Sequence, residues 1–239
     1  LFKFFNIPFI GPRNLASVVS SNKFLTKSYS KDNDVKTLEC KYFTKDDNIK
    51  IDNYPIIIKP TNLGSSIGVS IVKNKEELDY ALDIAFEFDE SIIVENFIKD
   101  VKEYNLAGAK INNEFIFSIV EEPQKDEFLD FDKKYLDFNR TSKTNSANIS
   151  QENIKKLEDA FKKIYNTTFE GSLIRCDFFI IDNEIYLNEI NSIPGSMANY
   201  LFDDFNDIIK KLANSLPKNK DIQINYEYVN KIQNTKGKA

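Results

Sequence analysis

Histidine does not occur in this chain, and cysteine occurs only twice in 239 residues. The first absence removes Ser-His-Asp, Cys-His and every histidine-metal arrangement from within the chain, leaving its chemistry to carboxylates, Lys, Arg, Tyr and backbone amides. The two cysteines, Cys40 and Cys176, lack CxxC spacing and read as free, buried thiols, which fits a reducing cytoplasm. Long apolar runs are lacking as well. Tyr54–Ile58 and Phe178–Ile181 are far too short to span a bilayer, so no membrane partner is expected. Nor is positive charge in excess: a formal net charge of -5 and a pI near 5.1 argue against nucleic acid as a main partner. No repeat or low-complexity tract is visible. What remains, 41% hydrophobic and 29% charged residues, is ordinary for one large globular domain or two modest ones.

Periodicity and turn chemistry predict an α+β chain. Asn14 is placed to cap a helix running through Leu15, Val18, Val19, Phe24 and Leu25. Strands are expected over Val35–Tyr42, Tyr54–Lys59, Val69–Val72 and Ile92–Phe97, with a helix over Lys75–Phe88 facing inward through Leu78, Ala81, Leu82 and Ala85. Further on, Tyr104–Lys110 and Glu114–Val120 read as a hairpin turning at Asn112-Asn113. Residues Glu121–Ser150 form a long polar passage without a period, of the kind that is functional or disordered. A helix follows over Glu152–Tyr165, and another over Asn199–Leu216 through Leu201, Phe205, Ile208, Ile209 and Leu212. The polar end, Gln233–Ala239, suits a frayed terminus.

The most informative segment is IRCDFFIIDNEIYLNEINSIPG, Ile174–Gly195, which carries Arg175, Asp177, Glu189 and Asn191 where a buried strand should be apolar. Strict alternation puts Arg175 with Asp177 on one face, and Glu189 and Asn191 with Leu187 on another. A turn at Asp182-Asn183 brings the two pairs together as an oxygen-rich cluster suited to Mg²⁺, or else as a polar network stitching a hairpin at a domain edge. Pro194-Gly195 ends the strand at once, so the cluster lies where a site can open. A second segment, KPTNLGSSIGVS at Lys59–Ser70, sets a lysine at the end of an apolar strand before a loop of Gly64, Ser65, Ser66 and Gly68. It reads as a phosphate cradle or as a plain hairpin turn, and matches neither the Walker A nor the Rossmann pattern. A third, SIIVENFI, is a strand whose end could hydrogen-bond an adenine edge, or whose Glu95 is simply its first solvated residue.

Taken in order, these segments resemble the ATP-grasp enzymes. IIIKPTNLGSSIGV, VENFIKDVKEYNLAG, FLDFDKKYL and RCDFFIIDNEIYLNEINSIPG resemble the D-alanine–D-alanine ligase family over nearly the whole chain. The resemblance implies an α+β ATP-grasp fold, two subdomains with the nucleotide cleft between them. It implies that Lys23 and Lys59 bind ATP phosphates beside Ser66, that Glu95 with Ile98 holds the adenine, and that Glu103 meets the ribose. Asp177, Glu189 and Asn191 would hold two Mg²⁺, with Mn²⁺ able to substitute. Arg175 would serve the acyl phosphate and tetrahedral intermediate rather than pair with its acidic neighbours. Ser65 and Tyr135 would close the site through the loop at 126–146, with Lys134 turned to the nucleotide. Tyr135 favours an amine over a hydroxyl nucleophile. Gly195, Ser196 and Tyr200 would meet the second D-alanine, although Tyr200 stands where the family often carries a serine.

The implied reaction joins two D-alanines through an acyl phosphate, for peptidoglycan precursors, in a cytoplasmic protein that is a homodimer at full length. The chain opens on Leu1 within an amphipathic pattern, and the family's N-terminal Glu and His are not found. Residues 1–20 therefore read as the tail of a missing domain and its junction, 21–105 as the central subdomain and 106–239 as the C-terminal one. Another ATP-grasp carboxylate-amine ligase, or a non-catalytic ATP-binding module, would share most of these features.

Overall fold

The computed structural model describes residues 2, 5–123, 146–217 and 226–235. Two helices, not one, open its regular structure. Helix α1 (Asn14–Ser21) stops at Asn22, whose extended backbone breaks the helix and whose side chain caps α2 (Lys23–Asp32) by accepting from the Leu25 N–H. Asn14 is the first helical residue, and Arg13 occupies the cap position without a side-chain bond. The buried faces move accordingly: Ala16, Val19, Thr26, Lys27 and Ser30 are inside, whereas Leu15 and Val18 are exposed.

Residues 35–42, expected as one strand, divide between two sheets. Strand β1 (Lys36–Thr37) runs parallel to β9 (Glu184–Asn191), and after Leu38 and Glu39 the chain enters β2 (Cys40–Thr44), antiparallel to β5 (Ser91–Asn96). Cys40 is consequently only half-buried, while Cys176 is fully enclosed.

The smaller sheet has the order β2-β5-β3-β4, with β3 (Ile56–Pro60) and β4 (Ser70–Val72) joined by the Gly-Ser loop. One face buries Ile56, Ile58, Ile92 and Val94 against Leu78, Ala81 and Ala85 of α3 (Leu78–Phe88). The larger sheet has the order β1-β9-β8-β6-β7, where β6 (Glu103–Ile111), β7 (Glu114–Glu121) and β8 (Ile174–Ile181) complete it. Its hairpins turn where the sequence predicts: Asn112 and Asn113 have φ of 50 and 69, Asp182 and Asn183 of 50 and 63, left-handed values that short polar side chains tolerate.

Helix α4 (Gln151–Tyr165) covers one face of this sheet, packing Leu157, Phe161 and Ile164 against Phe178, Leu187 and Ile190. The opposite face of β6 is covered by α5 (Phe205–Asn214), which sets Ile208 and Leu212 on Ala107 and Ala109. The helix expected from Asn199 begins six residues later, because Asp204 caps it at the Asp207 N–H and Leu201 belongs to a separate 3-10 turn, Gly195–Leu201. A last helix, α6 (Glu227–Asn234), buries no residue, and Gln233 and Asn234 lie in its exposed end.

Candidate active site

Lys59 alternates with inward-facing Ile58 along β3 and so points away from the α3 core, toward Glu95 on the neighbouring strand. Its Nζ lies 2.7 Å from Glu95 Oε2, and Lys27 Nζ, reaching over from α2, lies 2.6 Å from Oε1. The Glu95 side chain is 1% exposed. Burial alone would push its carboxyl up, but Lys59 and Lys27 outweigh burial and hold it below the ordinary glutamate range. This burial overturns the reading of Glu95 as the first solvated residue of its strand, while an adenine contact through the strand-end backbone stays compatible with a carboxylate so engaged.

Lys23 opens α2 beside the Gly-Ser loop. Its backbone N–H donates to Thr61 O at 2.8 Å and its Nζ donates to Leu63 O. Burial depresses the Lys23 ammonium, an effect that Glu189 opposes and Lys59 reinforces. Asn62 roots the loop through its N–H on Asp89 Oδ2 at 2.7 Å, and Asn22 Nδ2 donates to its side chain. Ser65 and Ser66 both hold φ of 60, and a Cβ on Gly64 would meet nothing within 4 Å. The loop thus combines left-handed backbone with one open approach, a shape that can present amides to an anion.

Across the larger sheet, register makes a polar row. Glu121 stands opposite Asn105, Asn105 opposite Asp177, and Asp177 opposite Glu189, through β7, β6, β8 and β9. Strict alternation predicted Leu187 on the face of Glu189. A bulge at Asn188 reverses that: Leu187 pairs with Phe178 and is wholly buried with Ile190, while Glu189 keeps the polar face.

Arg175 forks onto Asp177, with Nε to Oδ1 at 2.7 Å and Nη2 to Oδ2 at 2.9 Å, so it does pair with its acidic neighbour. Asn191 Nδ2 also donates to Asp177 Oδ2, at 2.9 Å. Even so, Asp177 lies above the ordinary aspartate range, because burial and the facing Glu189 prevail over the help from Arg175. The guanidinium, in turn, is held above its usual range by Asp177 and Tyr200 despite its burial. Asp177 takes the arginine, Glu189 faces Asp177 across the strand pair, and the Asn191 amide lies beside them. This oxygen set fits a hard divalent ion that takes its other ligands from phosphate. Among the described residues no cluster of three or more acidic, Cys or His side chains forms a cage by itself.

Beyond Asn191 the chain makes a left-handed turn at Ser196, Met197 and Ala198, with φ of 51, 50 and 52. Such backbone costs on the order of 1–2 kcal/mol per non-glycine residue. Burial of Ala198 and Leu201 and the Met197 N–H on Pro194 O anchor it. It delivers Tyr200, whose hydroxyl accepts from Arg175 Nη1 at 3.3 Å and donates to Glu121 Oε2 at 3.4 Å. Gly195, like Gly64, would place a Cβ in open space.

Lys23, Lys59, Ser65, Ser66 and Glu95 therefore gather around the smaller sheet, and Arg175, Asp177, Glu189, Asn191, Gly195, Ser196 and Tyr200 around the polar face of the larger one. Glu103 starts β6 opposite Phe179. Ile98 lines a cavity of about 760 Å³ along the crossing segment, together with Val35, Thr37, Asn96 and Tyr186. That cavity contains none of Lys23, Lys59, Asp177 or Glu189. Lys134 and Tyr135, with most of the loop assigned to closure, lie outside the described residues. Sequence reasoning missed Lys27, Asn105 and Glu121. Asn105 alone carried a visible signal, a polar residue within the apolar run of β6.

Residues 26–207 match the family model described as D-ala D-ala ligase C-terminus. The whole chain is 59% identical to a D-alanine--D-alanine ligase of Wolinella succinogenes and 56% identical to one of Campylobacter jejuni, spanning 69% of each. Among solved structures, the D-alanine-D-alanine ligase of Helicobacter pylori superposes with a TM-score of 0.80 at 48% identity, over 92% of this chain and 66% of that one.

Proposed function

Since the chain belongs to the D-alanine–D-alanine ligase family and has its ATP-grasp fold, we propose that it carries the nucleotide- and acyl-phosphate-handling part of an ATP-dependent joining of two D-alanines. The observation that carries this reading is a charge arrangement. The smaller sheet offers a carboxylate with two lysines, a surplus of positive charge, near Lys23. The larger sheet offers Asp177 and Glu189 with one arginine, a deficit. A polyphosphate suits the first, a divalent cation the second, and an ATP–metal complex suits both together.

In this reading Lys23 and Lys59 neutralise the phosphates, the Gly64–Gly68 loop and Ser66 cradle them, and Ile98 and Glu103 seat the base and ribose. Asp177, Glu189 and Asn191 Oδ1 would hold Mg²⁺, which supplies charge neutralisation on the transferring phosphoryl group. The carboxylate of one D-alanine attacks the γ-phosphorus and ADP leaves. The amine of the second D-alanine then attacks the acyl phosphate, and phosphate leaves. Arg175 stabilises the oxyanion of that second step. Gly195, Ser196 and Tyr200 border the second amino acid, and Ser65, Tyr135 and Lys134 contribute to closure. The partition into 1–20, 21–105 and 106–239 is part of the same proposal, with α2 and β1 of the middle segment packing on the larger sheet. A cytoplasmic, homodimeric full-length protein acting in peptidoglycan precursor synthesis belongs to the same proposal. Among the described residues no helix is long and apolar enough to cross a membrane.

The test is phosphate release from ATP and Mg²⁺ on addition of D-alanine to the protein expressed from its full reading frame. D-alanine-dependent release is expected. Release driven instead by another amino acid points to a different carboxylate-amine ligase, and nucleotide binding without any turnover points to a sensor module.

A further inference from the structure

Glu95 has more positive charge around it than it needs. Lys27 and Lys59 flank a carboxylate whose side chain is 1% exposed, and Lys27 itself is 6% exposed against 14% for Lys59. The two lysines arrive from different places. Lys59 stands on β3, within the same sheet as Glu95, at the root of the Gly-Ser loop. Lys27 comes from α2, which packs on β1 and β9 of the other sheet, and its Nζ also donates to Leu38 O at 2.9 Å, in the segment where the chain crosses between sheets. Lys27 is thus fixed and enclosed, whereas Lys59 is the more exposed of the pair.

We propose that Lys27 is a positioning residue for nucleotide binding: it neutralises Glu95, so that Lys59 can leave that carboxylate for the phosphates. The inference rests on the phosphate role assigned to Lys59 above. A buried carboxylate cannot be left without a cation at small cost. With a single lysine beside it, every phosphate contact made by Lys59 would strip Glu95 of its partner. With two, the nucleotide draws off the surplus charge and a neutral Lys27–Glu95 pair remains. The burial order agrees: the cation that stays is the enclosed one. Glu95, for its part, keeps Lys59 poised at the loop when no phosphate is there. A purely structural Lys27 would support the base, ribose and phosphate subsites alike, whereas the proposed one matters only to phosphate.

Calorimetric titration of the protein expressed from its full reading frame with β,γ-imido-ATP and Mg²⁺, and separately with adenosine, distinguishes these roles. Lys27→Met should weaken imido-ATP by about tenfold or more, with adenosine changed less than about twofold. Lys27→Arg should restore binding to within about threefold of wild type. Lys27→Met combined with Glu95→Gln removes the buried carboxylate, frees Lys59, and should recover imido-ATP affinity. Equal weakening for adenosine and imido-ATP, or an unchanged imido-ATP affinity in Lys27→Met, would overturn the proposal. Should Lys27→Met fail to fold, the double variant decides: recovered affinity supports the proposal, and a tenfold loss confined to imido-ATP, about 1.4 kcal/mol, overturns it by making Lys27 itself a phosphate contact. Lys59→Met separates the layers. Intact imido-ATP affinity there removes the phosphate role of Lys59, whereas a loss there with none in Lys27→Met removes only the role of Lys27.

Discussion

Glu95 in the smaller sheet and Asp177 in the larger one are both buried carboxylates gripped by cations, yet burial has opposite outcomes for them. Two lysines over one carboxylate pull Glu95 below its ordinary range. Burial, with Glu189 facing it, outweighs one arginine at Asp177 and leaves that carboxyl above its own. The difference lies in local charge balance and not in burial, since both side chains are almost wholly enclosed. In the function proposed above, the lysine surplus serves an anion and the acidic side a cation. Neither half alone would define a metal–nucleotide site.

Breaking the lysine side should have the largest effect. Glu95→Gln leaves Lys27 and Lys59 facing each other without a carboxylate, and should cost about 3–5 kcal/mol in chemical denaturation. On the acidic side, Glu189→Gln removes a carboxylate at the half-buried end of the polar row. It should lower metal-dependent turnover by about 10²-fold, or ~2.7 kcal/mol, with little change in the melting transition; normal turnover would refute its metal role.

A smaller effect sharpens the contrast in sign. Glu95, with a lowered carboxyl, contributes stability that is present above its unfolded pKa of about 4.5 and lost as pH falls through the folded value. Asp177, with a raised carboxyl, works the other way: it penalises the fold above its folded value, and the penalty fades as pH falls toward the unfolded value of about 3.8. Asp177→Asn should accordingly cost less stability at neutral pH than Glu95→Gln, and the difference from wild type should shift in favour of the wild type as pH falls. Parallel pH–stability curves for Asp177→Asn and Glu95→Gln would contradict the comparison. The smallest effect is expected at the edge of the site. Tyr200→Phe removes the hydroxyl between Arg175 and Glu121, and should raise KM for the second D-alanine by about 3–10-fold while leaving the KM for ATP unchanged.

Much of the acidic side was legible because its signal is local. Polar residues in a strand-like run, two short-side-chain turn pairs and a terminating Pro194-Gly195 are all read from neighbouring positions, and the hairpin forms as that reading requires. The errors arose where a local rule met a local exception. Alternation failed at the bulge of Asn188, and helical spacing ran across the break at Asn22 and the cap at Asp204. Lys27 and Glu121 were missed for another reason: a lysine in a helix and a glutamate at a strand end look solvated until their partners, 68 and 79 residues away in the chain, are brought beside them.

The sequence by itself determined the residue types available for chemistry, the α+β alternation, the hairpins and the family, because each is set by composition, short-range periodicity or an ordered run of motifs. Only the tertiary structure decided the charge balance at each carboxylate. Coulomb energy depends on distance and burial together, and the chain fixes neither until β1 and β2 send it into two different sheets and α2 carries Lys27 across to Glu95.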